Sequence, residues 1–436
     1  MDRKAIQRIL DYIEDNLKAE ISVEELSDLA GFSLFHFYRL FQSAVGMPVM
    51  QYITRRRLLH GIHEISLGHK KIDVALSYGY ETYAGFYKSF VREIGYTPKV
   101  YLKMYKAKKP YRINILQEEH IIMSQKKIRD ILINWELENE KIADVVYGET
   151  GEISDSAKYV GEDYVIKFSA NLGSIKKTID ISHALESIGL LAAQTIPTKD
   201  GKYYVEDAGL YYVLSKRIQG ENIKVGSVYL DEYLEKARFI GEIVGQLSLA
   251  LAKIDVVVDD MNILKNVCEW AIPALNEKVV IDKSFLESYQ RRFRELYDEL
   301  PKQIIHRDPN PSNIITNDDK WGFIDFDLSE CSVRIYDPCY AASAILSESF
   351  ELDNPDKLKK WIEIFREIMY GYDAVAKLTE SEKEAIPYVL LANQFIATSW
   401  FADKDKYKDI YEVNVSMTEW MMLLFRGKLV TKEPMV

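Results

Sequence analysis

The sequence predicts a multidomain chain: an all-α segment with two helix-turn-helix units, followed by an α+β region in two lobes. Three observations predict it. At 436 residues the chain exceeds what one hydrophobic core usually organises. Its first hundred residues contain an internal echo, LAGFSLFHFYRLFQSAVGMP from Leu29 and LSYGYETYAGFYKSFVREIGYTP from Leu76, with copies 48 to 49 residues apart. Nearer the carboxyl end stand His306, Arg307, Asp308, Pro309, Asn310, Pro311, Ser312 and Asn313, followed by Ile324, Asp325, Phe326 and Asp327.

Composition narrows the class. With 47% hydrophobic and 28% charged residues the chain is ordinary for a soluble protein. Cysteines stand at 268, 331 and 339, odd in number and without CxxC spacing, which argues against a disulfide framework or a zinc cluster and for a reducing cytoplasm. The amino terminus shows no apolar signal core. The most apolar long stretch, Phe239 to Val258, is broken by Glu242, Gln246, Lys253 and Asp255, so no membrane span is expected. Charge is divided: residues 1–109 carry 17 Lys or Arg against 12 Asp or Glu, and the remainder 39 against 55. A basic segment on an acidic chain suggests nucleic-acid contact confined to that segment. A solvated basic face would carry the same charge, so charge alone leaves both readings open.

The echo resolves into helices. Val23 to Ala30 is the first leading helix, with Ser22 and Glu25 offering a capping box, Gly31 the turn and Ser33 the next cap. In the second copy Ile72 to Tyr78 leads, Gly79 turns and Thr82 caps; Gly46 and Gly95, followed by Pro48 and Pro98, end the second helices. Helical spacing puts Phe37, Leu40, Phe41 and Ala44 on an inward stripe and leaves Phe35, Tyr38, Arg39 and Gln42 on another. Likewise Phe86, Phe90 and Ile94 point inward, and Tyr83, Ala84, Tyr87 and Lys88 outward. The outward residues are the candidate DNA contacts. Arg39 leads them, because a guanidinium pairs bidentately with guanine or clamps a phosphate. A helix of about Val49 to Gly61 joins the units, and its Arg55, Arg56 and Arg57 divide between salt bridges and phosphates, or are for the most part solvated or paired within the protein.

From Lys103 to about Glu119 periodicity is lost and Lys106, Lys108, Lys109 and Pro110 collect, which marks an interdomain connection. The expected domains are 1–107, a linker at 108–123, and 124–436, with lobes at about 124–217 and 218–436. Helical spacing resumes at Ser124, with Ile128, Ile131, Leu132 and Trp135 on one face. Strands follow at Val145 to Tyr147, Tyr159 to Val160 and Tyr164 to Lys167, the first two joined through a loop bearing Gly148 and Gly151. Such a loop can approach phosphates, and Lys167 can reach them; ordinary turn glycines would read the same way. Glu186 is the one Glu well inside the next helix and is the candidate partner of Lys167. Two further strands, Tyr203 to Val205 and Leu210 to Arg217, lead to a hinge at Ser215, Lys216 and Arg217 where backbone groups would meet a nucleotide base. A strand from Trp321 to Asp325 and helices complete the chain.

The spacing near Asp308 suits phosphoryl transfer. One carboxylate must orient an acceptor hydroxyl and take its proton, and two oxygen ligands must hold magnesium against nucleotide phosphates. Asp308 is the candidate base, and Asn313 and Asp325 the candidate ligands.

Residues from about 5 to 105, above all ALSYGYETYAGFYKSFVREIGYTPKVY, resemble the AraC/XylS family DNA-binding domain. The resemblance implies two recognition helices in successive major-groove segments of double-stranded DNA, and transcriptional control. In many members this module follows its sensing domain, whereas here it comes first. Residues 124 to 430, through IIHRDPNPSNII, WGFIDFDLS and DPCYA, resemble the aminoglycoside phosphotransferase and choline kinase superfamily, with its two-lobed, protein-kinase-like α+β domain. That resemblance implies Asp308 as base, Asn313 and Asp325 on Mg2+, ATP or GTP as cofactor, His306 as a structural member of the loop and Asp337 ordering the following helix. The family often has Gly at Arg307, His or Leu-His near Asn310, and Asp at Ala341; this chain departs from it at these places.

Three functions are therefore open: a regulator fused to a phosphotransferase for a small hydroxylated or amine-bearing molecule, a regulator whose kinase-like part only senses a ligand or nucleotide, and a detoxifying or metabolic kinase with an autoregulatory DNA-binding module. Homodimerisation is left open as well.

Overall fold

The computed structural model describes residues 2–117, 120–147, 151–276, 279, 281–317, 320–402 and 404–431. Its contacts divide it into two units, Met1–Leu172 with Thr195–Arg217, and Gly173–Gln194 with Ile218–Val436.

The first unit opens with seven helices: α1 (Arg3–Asp15), α2 (Val23–Ala30), α3 (Leu34–Val45), α4 (Val49–Ser66), α5 (Lys71–Ser77), α6 (Tyr83–Ile94) and α7 (Pro98–Met104). Ser22 Oγ accepts the Glu25 amide at 3.1 Å, but the Glu25 carboxylate accepts the Tyr12 hydroxyl instead of closing the expected capping box. Thr82 caps α6 through the Gly85 amide, while Ser33 occupies its cap position without a side-chain bond. Phe37, Phe41, Phe86, Phe90 and Ile94 are fully buried, and Leu40 and Ala44 pack against them, as the inward stripes require. The linking helix α4 runs past the expected end at Gly61 because that glycine is a packing position. A Cβ there would stand 2.8 Å from the Phe86 ring.

The arginine run on α4 is paired within the protein, the intramolecular alternative to phosphate contact. Arg55 pairs with Asp144, Arg56 with Glu14, and Arg57 donates to the Leu17 and Ala19 carbonyls at 2.8 and 2.7 Å. The connection after α7 is not a loose tether either. Ile113, Ile115 and Ile122 are buried in the helical core, and Gln7 both donates to the Ile113 carbonyl (3.0 Å) and accepts the Ile115 amide (2.8 Å).

Helix α8 (Gln125–Leu132), capped by Ser124, covers an antiparallel sheet of β1 (Ile142–Val146), β2 (Ile153–Val160), β3 (Tyr164–Ser169), β4 (Val205–Asp207) and β5 (Leu210–Lys216), in the order β1-β2-β3-β5-β4. Ile128, Leu132, Ile142, Val160, Ile166, Tyr212 and Leu214 form their shared core.

The second unit contains α9 (Leu172–Ser187) from Gly173 onward, and β6 (Glu221–Asn222), α10 (Val225–Val228) and α11 (Tyr233–Leu251). A helical insertion follows, α12 (Ile263–Lys265), a π-helical stretch Asn266–Ala271, α13 (Ile272–Asn276) and α14 (Lys283–Tyr297). Then come β7 (Lys302–Ile305), β8 (Ile314–Asn317), β9 (Lys320–Phe323), β10 (Glu330–Val333), α15 (Tyr336–Ser347), α16 (Pro355–Val375), α17 (Glu380–Phe401) and α18 (Lys408–Thr431). Strands β6-β8-β9 form one small sheet and β10-β7 another. Strand β9 stops two residues before the expected Asp325, which takes a left-handed conformation at φ +73°. Trp361, Tyr289, Phe293, Tyr372 and Phe395 anchor the helical core, and Thr379 and Glu382 close a full capping box on α17. Among the described residues no helix is long and apolar enough to cross a membrane.

Burial opposes charge on Glu14, but bonds from His60 and Arg56 outweigh it and hold the carboxyl at about 2. The resulting stability is complete above about pH 4.5, the ordinary value, and is lost as pH falls toward 2. Replacing Glu14→Gln should cost about 1–3 kcal/mol at pH 7 by urea unfolding, and the gap to wild type should close across that acid window. A gap that persists at pH 2 would remove Glu14 as its source.

Candidate functional site

On the first unit the two recognition helices present their predicted stripes unequally. On α3, Phe35 is 72% exposed and Tyr38, Arg39 and Gln42 are exposed beside it; the Arg39 guanidinium lies 5.8 Å over the Phe35 ring. On α6, Ala84, Tyr87 and Lys88 are exposed, but Tyr83 is half-buried, its ring parallel to Phe86 at 6.0 Å. Tyr83 is thus partly a core residue. Tyr83 lies one helical turn before the inward Phe86, and its ring leans on that residue.

The sheet of the first unit carries the other predicted contacts. Lys167 lies on β3 between Ala157 of β2 and Val213 of β5. Ser215 pairs with Val165 and is bridged to Thr195, Lys216 is exposed, and the Arg217 guanidinium lies 4.4 Å over Tyr159. Gly151 is buried at φ +70°, and a Cβ there would run into the Lys106 carbonyl, so the close backbone approach it permits is to Lys106. Gly148 lies outside the described residues.

In the second unit the loop after β7 is built on one carboxylate. Asp337, in the first turn of α15 and 1% exposed, accepts the backbone amides of His306 and Arg307, each at 2.9 Å. Asp337 therefore orders the preceding loop, where the resemblance pointed to the helix after it. Burial pushes its carboxyl up to about 7, against the pull of these two amides. His306 is fully buried, its Nε2 3.0 Å from the Ile324 carbonyl. Arg307 stands at φ +73° and pairs with Glu330 at 3.0 Å.

This loop presents Asp308. Asn310 donates to its Oδ1 at 2.7 Å, and Asn313 donates to its Oδ2 at 3.0 Å and to its carbonyl at 2.9 Å. Asn310 in turn caps the 3-10 turn Pro311–Asn313 through the Ser312 amide. Burial raises the Asp308 carboxyl to about 6; bonds from Asn310, Tyr340 and Asn313 pull against that, and the neighbouring Asp325 charge adds to it. Sequence reasoning assigned no bond to Asn310 or Tyr340. The first lies two residues from the base and was within reach; the second arrives from α15, and no local pattern marks it. Glu186, the candidate partner of Lys167, accepts the Ala192 amide at 2.9 Å at the end of its helix.

Two family models match. A helix-turn-helix domain covers residues 26–104 and a phosphotransferase enzyme family covers residues 150–365. The HTH-type transcriptional activator AarP of Providencia stuartii is 34% identical over 97 residues, which are 22% of this chain and 72% of that protein. The uncharacterized HTH-type transcriptional regulator YbfP of Bacillus subtilis is 36% identical over 110 residues, 24% of this chain but only 37% of the length of that protein. Among solved structures, the microcompartment-associated aminopropanol kinase aligns with TM-score 0.52 and 14% identity over 70% of this chain and 98% of its own. Amicoumacin kinase in complex with AMP-PNP aligns with TM-score 0.50 and 13% identity, over 72% and 94%. At these identities the structural likeness speaks for the fold.

Removing the Asp337 carboxylate leaves the buried His306 amide and the half-buried Arg307 amide without this acceptor, at about 1–3 kcal/mol each. Asp337→Ala should therefore lower stability by about 2–6 kcal/mol in denaturant unfolding. A loss below 1 kcal/mol would show that the loop is held by something else.

Proposed function

From a chain that belongs to the AraC-type helix-turn-helix regulators and carries a phosphotransferase-family domain after that module, we propose a DNA-binding transcriptional regulator fused to a working small-molecule kinase. One observation carries the catalytic half of this reading: a half-buried carboxylate, Asp308, aimed by two asparagine amides on a loop whose backbone is itself pinned. A catalytically idle sensor would not need a base oriented at both oxygens.

The residues fit a hard divalent cation. Asn313 spends its amide nitrogen on Asp308 and keeps its carbonyl oxygen, and Asp325 adds a carboxylate. That suits Mg2+, which takes one or two protein oxygens and completes its shell with phosphates and water. When bound, the ion supplies charge neutralisation at the phosphates of ATP or GTP. Lys167 would pair with the phosphates, and Ser215 to Arg217 would offer backbone to the base. Asp308 orients the acceptor hydroxyl for in-line attack and receives its proton. The acidic balance of the chain beyond residue 109, 39 basic against 55 acidic residues, supports a cationic acceptor such as an amine-bearing sugar or an amino alcohol.

On the DNA side, Phe35, Tyr38, Arg39 and Gln42 of α3 and Ala84, Tyr87 and Lys88 of α6 are the proposed contacts, with Tyr83 at the margin. Their exposure supports this.

Magnesium-dependent turnover screened over pooled amines, amino alcohols and antibiotics tests the catalytic reading. Asp308→Ala should lower turnover at least about 100-fold and leave DNA binding unchanged; joint loss of both would point to misfolding. Wild-type turnover should also decline as pH drops through about 6, where Asp308 takes up its proton. Arg39→Ala should weaken binding to a selected duplex by about 1–3 kcal/mol without changing nucleotide affinity. An unaltered duplex affinity would strike Arg39 from the contacts.

A further inference from the structure

The first unit joins the two activities through one hairpin. Strands β1 and β2, which flank the glycine-bearing loop, are built into the DNA-binding module. Val146 is buried in the helical core of that module, and Ile153 packs against it. Between the strands and the helices lies a closed cluster of charge: Arg55 of α4 (3% exposed), Glu93 of α6 (6%), Asp144 of β1 (1%) and Lys158 of β2 (2%). Asp144 receives Arg55 at 2.6 Å and Lys158 at 2.5 Å, and Glu93 lies 3.8 Å from Arg55 and accepts Gln51 at 3.1 Å. Burial works against the Asp144 charge, and the two cations outweigh it and hold its carboxyl below the ordinary range.

The same strand and the segment before it also clamp both recognition helices at their carboxyl ends. At α3, the Val45 carbonyl accepts the Ile122 amide at 2.8 Å, and Gly46 abuts Ile121. At α6, the Glu93 carbonyl accepts Gln125 Nε2 at 3.2 Å, and Gly95, at φ +90°, closes on Ala143 so tightly that a Cβ would collide with it. A double helix-turn-helix reads DNA only if its two helices keep the spacing of successive major-groove segments. Here residues 121–125 and 142–143 brace the carboxyl ends of both helices.

Cross-strand partners share a face, and successive residues alternate. Asp144 and Lys158 are partners on the face that meets the helices, whereas Ala157 and Lys167 are partners on the opposite face. Resting on the proposed binding of nucleotide at Lys167, we propose that the β1–β2 hairpin is a coupling element, through which nucleotide on one face of the sheet changes the spacing of the recognition helices on the other and hence operator affinity. The Arg55–Asp144–Lys158–Glu93 cluster transmits the change, because drawing any of these buried charges away from its partner is costly. Binding linkage makes the effect reciprocal.

The test uses the full chain, AMP-PNP or GMP-PNP with magnesium, and a fluorescent duplex selected from a random library on the nucleotide-free protein. Nucleotide affinity, duplex affinity and their mutual effect are measured separately. Wild type should show a change in duplex affinity of about 5- to 150-fold on saturation with nucleotide, matched by the same factor in nucleotide affinity when duplex is saturating. Asp144→Asn should bind each ligand with that factor reduced toward one. Gln125→Ala, a milder change at the α6 clamp, should reduce it in part and serves if the first variant does not fold. Two ligands that bind wild type without influencing each other would overturn the coupling while leaving the proposed function standing, as would a factor unchanged in Gln125→Ala and in folded Asp144→Asn. Absence of nucleotide binding would instead remove the reading on which the coupling rests.

Discussion

A single carboxylate without access to water determines how the first unit is built. Asp144 stays charged only because a guanidinium from a DNA-module helix and an ammonium from the neighbouring strand both reach it. A buried ion pair is weak evidence for stability, since apolar residues of equal volume often do as well. It is better evidence for register: four charges from four elements are satisfied in one arrangement. The apolar contacts agree with it, because Val146 belongs to the helical core while Ile142, two residues from Asp144 on the same strand, belongs to the core of the sheet.

The second unit uses a carboxylate in a different way. Asp337 meets no cation in its bonds; it collects two backbone amides and so fixes the path of the chain into Asp308. The conformation it enforces places Arg307 at φ +73°, which costs a non-glycine residue on the order of 1–2 kcal/mol. That is where related sequences often place glycine. Here the cost is offset in part by the pairing of Arg307 with Glu330.

Local chemistry made most of the fold legible. Helix α2 begins after Ser22 and stops at Gly31 as its caps dictate, and the inward phenylalanines of α3 and α6 follow from helical spacing alone. The loop around Asp308 was readable because the chemistry needs particular residues at short separations. What escaped was non-local. Nothing near Arg55, Arg56 and Arg57 indicates that their partners lie at Asp144, Glu14 and the carbonyls of Leu17 and Ala19. The role of Asp337 depends on amides about thirty residues earlier. Basic residues before Pro110 marked an interdomain connection, and the alternation of Ile113 and Ile115 with polar neighbours was a signal that this stretch packs. Gly61 looked like a helix end and proved to be room for Phe86.

Synthesis order gives the hairpin one more consequence. The seven helices leave the ribosome before β1 and β2 exist, so for the span of some fifty residues after α7 the growing chain holds a bundle whose Arg55 has no Asp144 and whose core lacks Val146. Until β1 and β2 follow, Arg55 is left with Glu93 alone of its two carboxylate partners.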